Sequence, residues 1–199
     1  MIVGILALQG DFREHAEMLA SIGRDSVEVR RPEQLGHCDA LIIPGGESTT
    51  IARLIRRYDF PAPLREFCAS GKPVWGTCAG AILLARSVDD LDRPGLEVLD
   101  IAVSRNAFGR QRDSFEADVT IAPIDGGPFH AVFIRAPRIE SVGGGVEVVG
   151  RLASGEIVAA QQGNLLATAF HPELTNDPRL HQYFLTIGTR ARSASGSRP

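Results

Sequence analysis

Short hydrophobic runs alternate with longer segments of mixed polar and hydrophobic residues in the first half of the chain. Short apolar runs are typical of strands that helices cover on both faces of a parallel sheet. We therefore predict strands at residues 2–8, 26–30, 40–43 and 74–76. The intervening segments predict helices that begin at caps Asp11 and Ser48 and at Ala62, and that end near Ile22, Arg57 and Ala69. This succession of strands and helices predicts a parallel sheet with helices on both faces.

The pattern changes after Pro94, where short apolar runs are separated by turns. Such spacing predicts a β-rich, partly antiparallel second half. We place its strands at residues 96–103, 115–121, 131–134, 146–152, 157–160 and 165–170. One helix, from about residue 178 to 189, closes the fold, and the Ser-rich residues 190–199 predict a flexible tail. The predicted fold class is α/β: a three-layer, single domain of residues 1–189 with a mostly parallel central sheet.

Composition places the chain among ordinary globular proteins. Of its 199 residues, 44% are hydrophobic and 23% charged, which fits one domain with a well-buried core. The net charge is −3 and the arginines are scattered, so we expect no nucleic-acid partner. No segment approaches the roughly 20 apolar residues that cross a bilayer, and the N-terminal run has the character of a strand, so we expect no membrane span or signal peptide. The three cysteines lack metal-ligand spacing, which predicts reduced thiols, no metal and a cytoplasmic location.

The segment with the clearest chemical meaning is Gly-Thr-Cys-Ala-Gly at residues 76–80, between an apolar strand and an apolar helix. This is the layout of a nucleophile elbow, a tight turn that lifts its central side chain above the edge of a sheet. Glycines are required at both ends because a side chain there would strike the neighbouring strand or helix. At a helix N-terminus the unpaired N–H groups favour a thiolate. Cys78 is therefore the predicted nucleophile.

A cysteine nucleophile needs a base, and the base needs a group that orients it. Of the five histidines, His171 stands apart because it ends an apolar strand and is followed by Pro172 and Glu173. Proline keeps this segment extended, so His171 and Glu173 can point the same way. We predict a triad of Cys78, His171 and Glu173. We expect His15 on a solvated or interface face of its helix, and His181 on the surface.

The oxyanion of a tetrahedral intermediate needs hydrogen-bond donors. Residues 44–48, Pro-Gly-Gly-Glu-Ser, follow the third predicted strand, at the edge where open α/β sheets place their ligands. We predict that the N–H groups of Gly46 and Ala79 form this oxyanion hole.

With these residues in view, the sequence resembles the class I (triad-type) glutamine amidotransferases, which have a flavodoxin-like fold. More closely, it is similar to the glutaminase subunits of the two-component pyridoxal 5′-phosphate synthases. The matching blocks follow the family's order over residues 2–187. They are residues 6–10 with His15, 44–50, 76–80, 105–111 with 113–116, 133–137 and 169–174. The Gly-Gly-Glu-Ser, Arg-Asn-Ala-Phe-Gly-Arg-Gln and Phe-Ile-Arg-Ala-Pro blocks indicate this particular subfamily.

The resemblance implies a role for each matching residue. Cys78 would attack the side-chain amide of L-glutamine, with His171 as base and then acid and Glu173 orienting it. The implied substrate-binding residues are Gly46, Glu47, Ser48, Arg105, Ile134 and Arg135. Arginine suits the α-carboxylate of glutamine and glutamate suits its α-ammonium group.

The resemblance also implies a partner. Gln9 and Gly10 would contact the synthase component, which is a (β/α)₈ barrel that combines the released ammonia with a pentose phosphate and a triose phosphate in a hetero-oligomeric complex. No cofactor is implied for this chain. Asp11 departs from the family pattern, which has a small apolar residue at this position.

Three alternatives keep the fold and change the function. The first is the glutaminase subunit of another amidotransferase, such as imidazole glycerol phosphate synthase, against which the Leu-Gln-Gly block at residues 8–10 argues. The second is a cysteine hydrolase or stress protein of the related elbow-cysteine group, which usually has its histidine just after the elbow; here no histidine follows. The third is a regulatory subunit without turnover, which should lack a triad member.

Overall fold

The computed structural model describes residues 1–89, 95–105 and 114–195. Its strands are β1 (Val3–Leu6), β2 (Ser26–Val29), β3 (Ala40–Ile43), β4 (Val74–Thr77), β5 (Ala85–Asp89), β6 (Leu99–Ser104), β7 (Ser114–Ile121), β8 (Phe129–Ile134), β9 (Arg138–Val142), β10 (Glu147–Arg151), β11 (Ile157–Gln162) and β12 (Leu165–Thr168). Its helices are α1 (Phe12–Ser21), α2 (Ser48–Arg57), α3 (Pro61–Ala69), α4 (Ala79–Leu84) and α5 (Arg179–Ser195). Short 3₁₀ helices cover Pro32–His37 and Pro172–Leu174.

Five parallel strands form the half of the sheet that carries the elbow, in the order β2-β1-β3-β4-β12. This is a flavodoxin-like order, and ligands of such sheets bind beyond the carboxyl ends of the strands. Strand β12 pairs in parallel with β4, with Thr168 beside Thr77. The residues that follow these two strands therefore lie side by side, although they are distant in sequence.

The second half of the chain extends the sheet with antiparallel pairs. Strand β11 pairs with β12, and β10, β7 and β8 follow in that order. A branch of β5, β6 and β9 joins at β11, with β5 and β6 parallel to each other. The predicted α/β fold with a mostly parallel central sheet and a β-rich second half is confirmed.

The sheet separates two hydrophobic cores, because successive strand residues point to opposite faces. In β3, Leu41 and Ile43 belong to one core, together with the buried sides of α2, α3 and α4. Ala40 and Ile42 belong to the other core, together with the buried sides of α1 and α5. The helices on both faces thus complete the three predicted layers.

Two helix caps and one helix end differ from the sequence predictions. Glu47, not Ser48, caps α2, since its carboxylate accepts hydrogen bonds from the N–H groups of Thr49 and Thr50. Asp11 precedes α1 as predicted, but its side chain makes no capping hydrogen bond. Helix α5 continues to Ser195 and does not end near residue 189. The division into a domain of residues 1–189 and a flexible tail of residues 190–199 stays a prediction.

Candidate active site

Cys78 lies at the junction of β4 and α4 in a strained backbone conformation, with φ 46° and ψ −103°. Non-glycine residues avoid this region unless their surroundings enforce it. Here the Cys78 N–H donates to the carbonyl of Thr168 at 2.8 Å, and its own carbonyl accepts from the N–H of Ile82 at 3.2 Å. Two neighbouring elements thus hold the turn, and Cys78 is buried apart from a small exposed fraction of 6%.

The glycines on either side of Cys78 are required by close backbone packing. A Cβ atom on Gly76 would lie 2.5 Å from the carbonyl of Gly80. A Cβ atom on Gly80 would lie 1.9 Å from the carbonyl oxygen of Ile43, at the end of β3. Both distances are far below van der Waals contact, so the steric reason predicted for the two glycines is confirmed.

His171 and Glu173 follow β12 and form a buried pair beside the elbow. Nδ1 of His171 lies 2.8 Å from Oε1 of Glu173, whose side chain is fully buried. The backbone N–H of His171 donates to the carbonyl of Val132 at 2.8 Å, which fixes the start of the 3₁₀ turn. The side chains of His171 and Cys78 line the same cavity, and interaction with Cys78 contributes to the raised pKa of His171. The structure therefore brings together the three residues of the predicted triad.

Asp11 also contacts His171, with Oδ2 lying 3.3 Å from Nδ1. Burial opposes a charge on His171, but hydrogen bonds with Asp11, Cys78 and Glu173 outweigh it and raise the pKa of His171 to about 12. Burial raises the pKa of Glu173, which His171 counteracts. The arrangement favours an imidazolium at His171. The sequence suggested only a helix cap at Asp11; its departure from the family pattern was the one sign of another role.

A cavity of about 460 Å³ opens above the Cys78 side chain. The predicted substrate-binding residues and both predicted oxyanion-hole residues line it, as do residues that the sequence analysis did not single out for this site. Among the residues that the structure describes, the lining consists of Asp11, Gly46, Glu47, Ser48, Cys78, Ala79, Ile82, Arg105, Ile134, Arg135, His171 and Leu174. Glu173 lies behind His171, outside this lining.

Gln9 and Gly10 lie against the glycine loop that follows β3. Oε1 of Gln9 accepts from the backbone N–H of Glu47 at 2.8 Å. Gly10 has φ 103°, and a Cβ there would lie 1.8 Å from the carbonyl oxygen of Gly45. Gly46 has φ 148°, and a Cβ there would lie 2.7 Å from Oε1 of Gln9. Movement of the loop at Gln9 and Gly10 would therefore displace the Gly46 backbone.

The cavity is lined by two side chains of opposite charge, Arg105 and Glu47, which lie close together. Nη2 of Arg105 donates to Oγ1 of Thr49 at 3.1 Å and lies 3.8 Å from Oε1 of Glu47. The Thr50 hydroxyl, together with the N–H groups of Thr49 and Thr50, lowers the pKa of Glu47 to about 2. Glu47 therefore carries a full negative charge at neutral pH. One wall of the cavity offers both a cation and an anion.

The positions predicted for His15 and His181 are wrong. Both are fully buried, His15 in α1 and His181 in α5. Nε2 of His15 lies 3.3 Å from Oε2 of Glu173, on the side opposite His171. The helical spacing of His15 from Phe12 and Leu19, which face the same core, was the signal that could have predicted its burial.

A model of the SNO glutamine amidotransferase family matches residues 5–188. The chain belongs to this family. The resemblance noted from the sequence is thereby confirmed.

Curated relatives agree with membership of the SNO family. The pyridoxal 5′-phosphate synthase subunit PdxT of Herpetosiphon aurantiacus is 54% identical over 190 residues, 94% of this chain and 100% of the relative. The protein of the same name from Pelotomaculum thermopropionicum is 56% identical over 191 residues, 96% of this chain and 97% of the relative.

Solved structures agree with the fold. A crystal structure of a glutamine amidotransferase is 50% identical, with a TM-score of 0.89, and covers 95% of this chain and 100% of its own. A putative GMP synthase protein from Thermoplasma acidophilum, at 16% identity and a TM-score of 0.70, shares the fold over 99% of this SNO family chain and 98% of its own. Among the described residues, no helix combines the length and hydrophobicity needed to cross a membrane.

Proposed function

We propose that this chain hydrolyses L-glutamine to L-glutamate and ammonia, and that it delivers the ammonia to the synthase subunit of a pyridoxal 5′-phosphate synthase complex. The observation that carries the proposal is that Cys78 and His171 line one cavity, with Nδ1 of His171 held 2.8 Å from Oε1 of the buried Glu173. A thiol, an imidazole and an orienting carboxylate in this order are the groups that acyl transfer requires.

The reaction begins when the Cys78 thiol gives its proton to His171 and its sulfur attacks the side-chain amide carbon of glutamine. The developing oxyanion is stabilised by the N–H groups of Gly46 and Ala79. His171, held as an imidazolium by its carboxylate neighbours, donates its proton to the departing nitrogen, which leaves as ammonia. Water then attacks the thioester with His171 as base, and glutamate leaves. Each proton thus passes through one imidazole, which Glu173 keeps in place.

The cavity wall suits the α-amino and α-carboxylate groups of glutamine. Arg105 and Arg135 offer positive charge for the carboxylate, and Glu47 offers a carboxylate to the ammonium group. The volume of about 460 Å³ fits a small ligand of this class. Ser48 and Ile134 also line the cavity, and the Ile134 carbonyl lies 3.9 Å from Sγ of Cys78.

The relatives support the choice of ammonia acceptor. The named relatives are pyridoxal 5′-phosphate synthase subunits, and this chain matches them over nearly their full length. This favours the pyridoxal phosphate synthase barrel over imidazole glycerol phosphate synthase as the partner. Gln9 and Gly10, which pack on the loop of Gly46, are proposed to transmit docking of the barrel to the oxyanion hole. We place the reaction in the cytoplasm, since the three cysteines are free.

Selective alkylation tests the chemistry. A glutamine-derived electrophile is expected to label Cys78 and to spare Cys38 and Cys68, as mass spectrometry of peptides would show. Burial raises the pKa of Cys38, and raises the pKa of Cys68 to about 12, so both remain unreactive thiols at neutral pH. Equal labelling of all three cysteines would refute the proposed nucleophile.

Glutamate release with and without the barrel subunit tests the acceptor. We expect slow release by the isolated chain and a strong increase when the pyridoxal 5′-phosphate synthase barrel of the same organism is added. The Cys78→Ser variant serves as the control for glutaminase contamination. Indifference to the barrel would refute the assignment to vitamin B6 synthesis while leaving the amidohydrolase chemistry intact.

A further inference from the structure

The carboxylate of Glu173 has two oxygen atoms, and only one of them, Oε1, contacts His171 in the proposed triad. Oε1 contacts His171 at 2.8 Å. Oε2 is buried and makes no hydrogen bond of ordinary geometry among the described residues. The group that it faces, at 3.3 Å, is Nε2 of His15, which also lies 3.3 Å from Oγ1 of Thr77. A buried carboxylate oxygen without a donor is costly, so this contact needs a role.

A second buried histidine stands behind the first. Nδ1 of His15 lies 2.9 Å from Nε2 of His181, which reaches the site from α5. Both rings meet the Trp75 indole edge-on, with ring centres 5.7 Å from His15 and 4.9 Å from His181. The Trp75 indole N–H is itself fixed by the Thr168 hydroxyl at 3.1 Å. The two imidazoles are therefore held in one orientation relative to Glu173.

The hydrogen-bond partners of His15 and His181 are compatible with only one tautomer of each ring. Burial lowers the pKa of His15 well below its usual value and lowers the pKa of His181 to about 3, so both rings are neutral. A carboxylate can only accept, so Nε2 of His15, which lies 3.3 Å from both Oε2 of Glu173 and Oγ1 of Thr77, carries the proton. Nδ1 of His15 is then an acceptor and takes the hydrogen bond from Nε2–H of His181.

The surroundings of Nδ1 of His181 support the same pair of tautomers. Nδ1 of His181 is buried without a hydrogen-bond partner among the described residues. In the selected tautomer this atom is a bare lone pair. In the opposite tautomer it would be a buried N–H without an acceptor, and a lone pair of His15 would face the Glu173 carboxylate. Both features are unfavourable in a desolvated site.

We propose that His15 is a positioning residue for glutamine hydrolysis: His181 holds its ring so that the Nε2–H, which hydrogen-bonds Thr77, also lies against Oε2 of Glu173 at 3.3 Å and keeps the carboxylate turned toward His171. The inference rests on the proposed function. Charge on Glu173 is opposed by burial, and a neutral donor at Oε2 favours the ionised form without adding a competing positive charge. The order His181, His15, Glu173, His171, Cys78 thus extends the predicted triad by two residues.

Paired substitutions of His15 test this role in the full chain with its barrel partner. His15→Leu removes the donor and should lower kcat about 10- to 100-fold with little change in KM, since the lost contact is to a charged group that does not touch glutamine. His15→Gln keeps an N–H donor and should recover most of the loss. His130→Leu is the matched control, because His130 also pairs with carboxylates but is exposed on β8.

The pH profile separates positioning from general damage. The titratable groups around Glu173 are Asp11, His15, His171 and His181, with Cys78 beyond. Loss of the His15 donor should raise the pKa of Glu173 and move the acid limb of kcat to higher pH, and His15→Gln should restore it. If kcat of His15→Leu equals that of the wild type, the positioning role of His15 is overturned. It is also overturned if His15→Leu and His15→Gln lose the same amount of activity; neither result affects the proposed function. A wild-type complex that releases no glutamate would overturn the proposed function as well.

Nitrogen-15 NMR of the wild-type chain gives a readout that needs no variant to fold. The chain has five histidines, so each ring signal can be assigned through its through-bond connection to the backbone of the same residue. We expect His15 and His181 both to be neutral and protonated at Nε2 at pH 7. A proton on Nδ1 of His15 would overturn the inference, even with an active enzyme.

Discussion

Asp11 places a carboxylate oxygen 3.3 Å from Nδ1 of His171, the nitrogen that also contacts Glu173. A single imidazole N–H therefore lies between two carboxylates, one fully buried and one partly exposed at the wall of the cavity. Asp11 directly follows Gly10 in the loop proposed to contact the synthase. The charge state of His171 is thereby coupled to the position of that loop.

Replacement of Asp11 should change how His171 titrates. Asp11→Asn removes a negative charge that favours the imidazolium, so the pKa of His171 should fall from its raised value near 12. The imidazolium of His171 should therefore lose its proton at a lower pH in Asp11→Asn than in the wild type. Proton NMR of the His171 ring as a function of pH measures the change directly.

The control for this titration is Asp125→Asn, an exposed loop carboxylate. It should leave the His171 curve of the wild type unchanged. Coincident curves for Asp11→Asn and the wild type would show that the 3.3 Å contact has no electrostatic consequence.

The parallel half of the fold and the arrangement of the triad could be predicted because local signals were strong. Continuous apolar runs indicated β1 and β3, and the two glycines around Cys78 allowed only a tight turn. The proximity of His171 to Cys78 was predicted from chemistry, because a cysteine nucleophile requires a base and His171 ends an apolar strand. The parallel pairing of β12 with β4, which brings the two residues together, was not predicted. These inferences depend on short-range sterics and strand alternation, which a single sequence records directly.

Strands β5 and β9 were not predicted, for a physical reason. Their sequences, Ala-Arg-Ser-Val-Asp and Arg-Ile-Glu-Ser-Val, are mixed in polarity and largely exposed or half-buried. They become strands because β6 lies between them and pairs with both. Such long-range pairing has no local signature, since strand propensity depends strongly on tertiary context.

The burial of His15 and His181 likewise depends on long-range contacts that the local sequence does not reveal. A histidine is ordinarily polar enough to remain near water, and sequence spacing alone does not show what would compensate for its burial. The compensation here comes from distant segments: β4 supplies Trp75 and Thr77, and the turn after β12 supplies Glu173. Only the folded structure brings these groups together.

A methyl group at Gly80 should destabilise the elbow. Gly80→Ala places its Cβ 1.9 Å from the carbonyl oxygen of Ile43, so α4 must shift away from β3. We expect the free energy of unfolding to fall by about 1–3 kcal/mol, as for other overpacked sites, and Cys78 alkylation to slow. Urea denaturation measures the first effect and labelling kinetics the second.

Gly36→Ala is the matched control, because a Cβ there has nothing within 4 Å. Its free energy of unfolding should remain within about 0.5 kcal/mol of the wild type. A Gly80→Ala variant as stable and as reactive as Gly36→Ala would mean that the elbow tolerates a side chain.

Arg105 is expected to act in glutamine binding and not in the chemical step. Arg105→Lys keeps the charge but loses the planar pair of donors that matches a carboxylate. We expect KM for glutamine to rise about 10-fold, equivalent to about 1.4 kcal/mol, with kcat nearly unchanged. Steady-state kinetics of the complex measure both constants. Arg30→Lys, whose guanidinium pairs with Glu28 at 2.7 Å on β2, should leave both unchanged, and a fall in kcat alone for Arg105→Lys would contradict a binding role.

Burial of His181 predicts how stability depends on pH. The pKa of His181 is lowered to about 3, against about 6.5 in an unfolded chain. As the pH falls below about 6.5, the unfolded state takes up a proton that the folded state refuses, so stability is lost on acidification. Between pH 7 and pH 5.5 this histidine should contribute a loss of about 1 kcal/mol in the free energy of unfolding.

The His181→Gln variant isolates this contribution, because glutamine does not titrate. Whatever its stability at pH 7, we expect it to lose about 1 kcal/mol less than the wild type on going to pH 5.5, as urea denaturation at both values would show. Gln182→Ala, an exposed change on the same helix, controls for altered helix stability and should keep the wild-type pH dependence. Parallel pH curves for His181→Gln and the wild type would mean that the folded state binds the proton as readily as the unfolded state. A neutral His181, on which the orientation of His15 toward Glu173 depends, would then be ruled out.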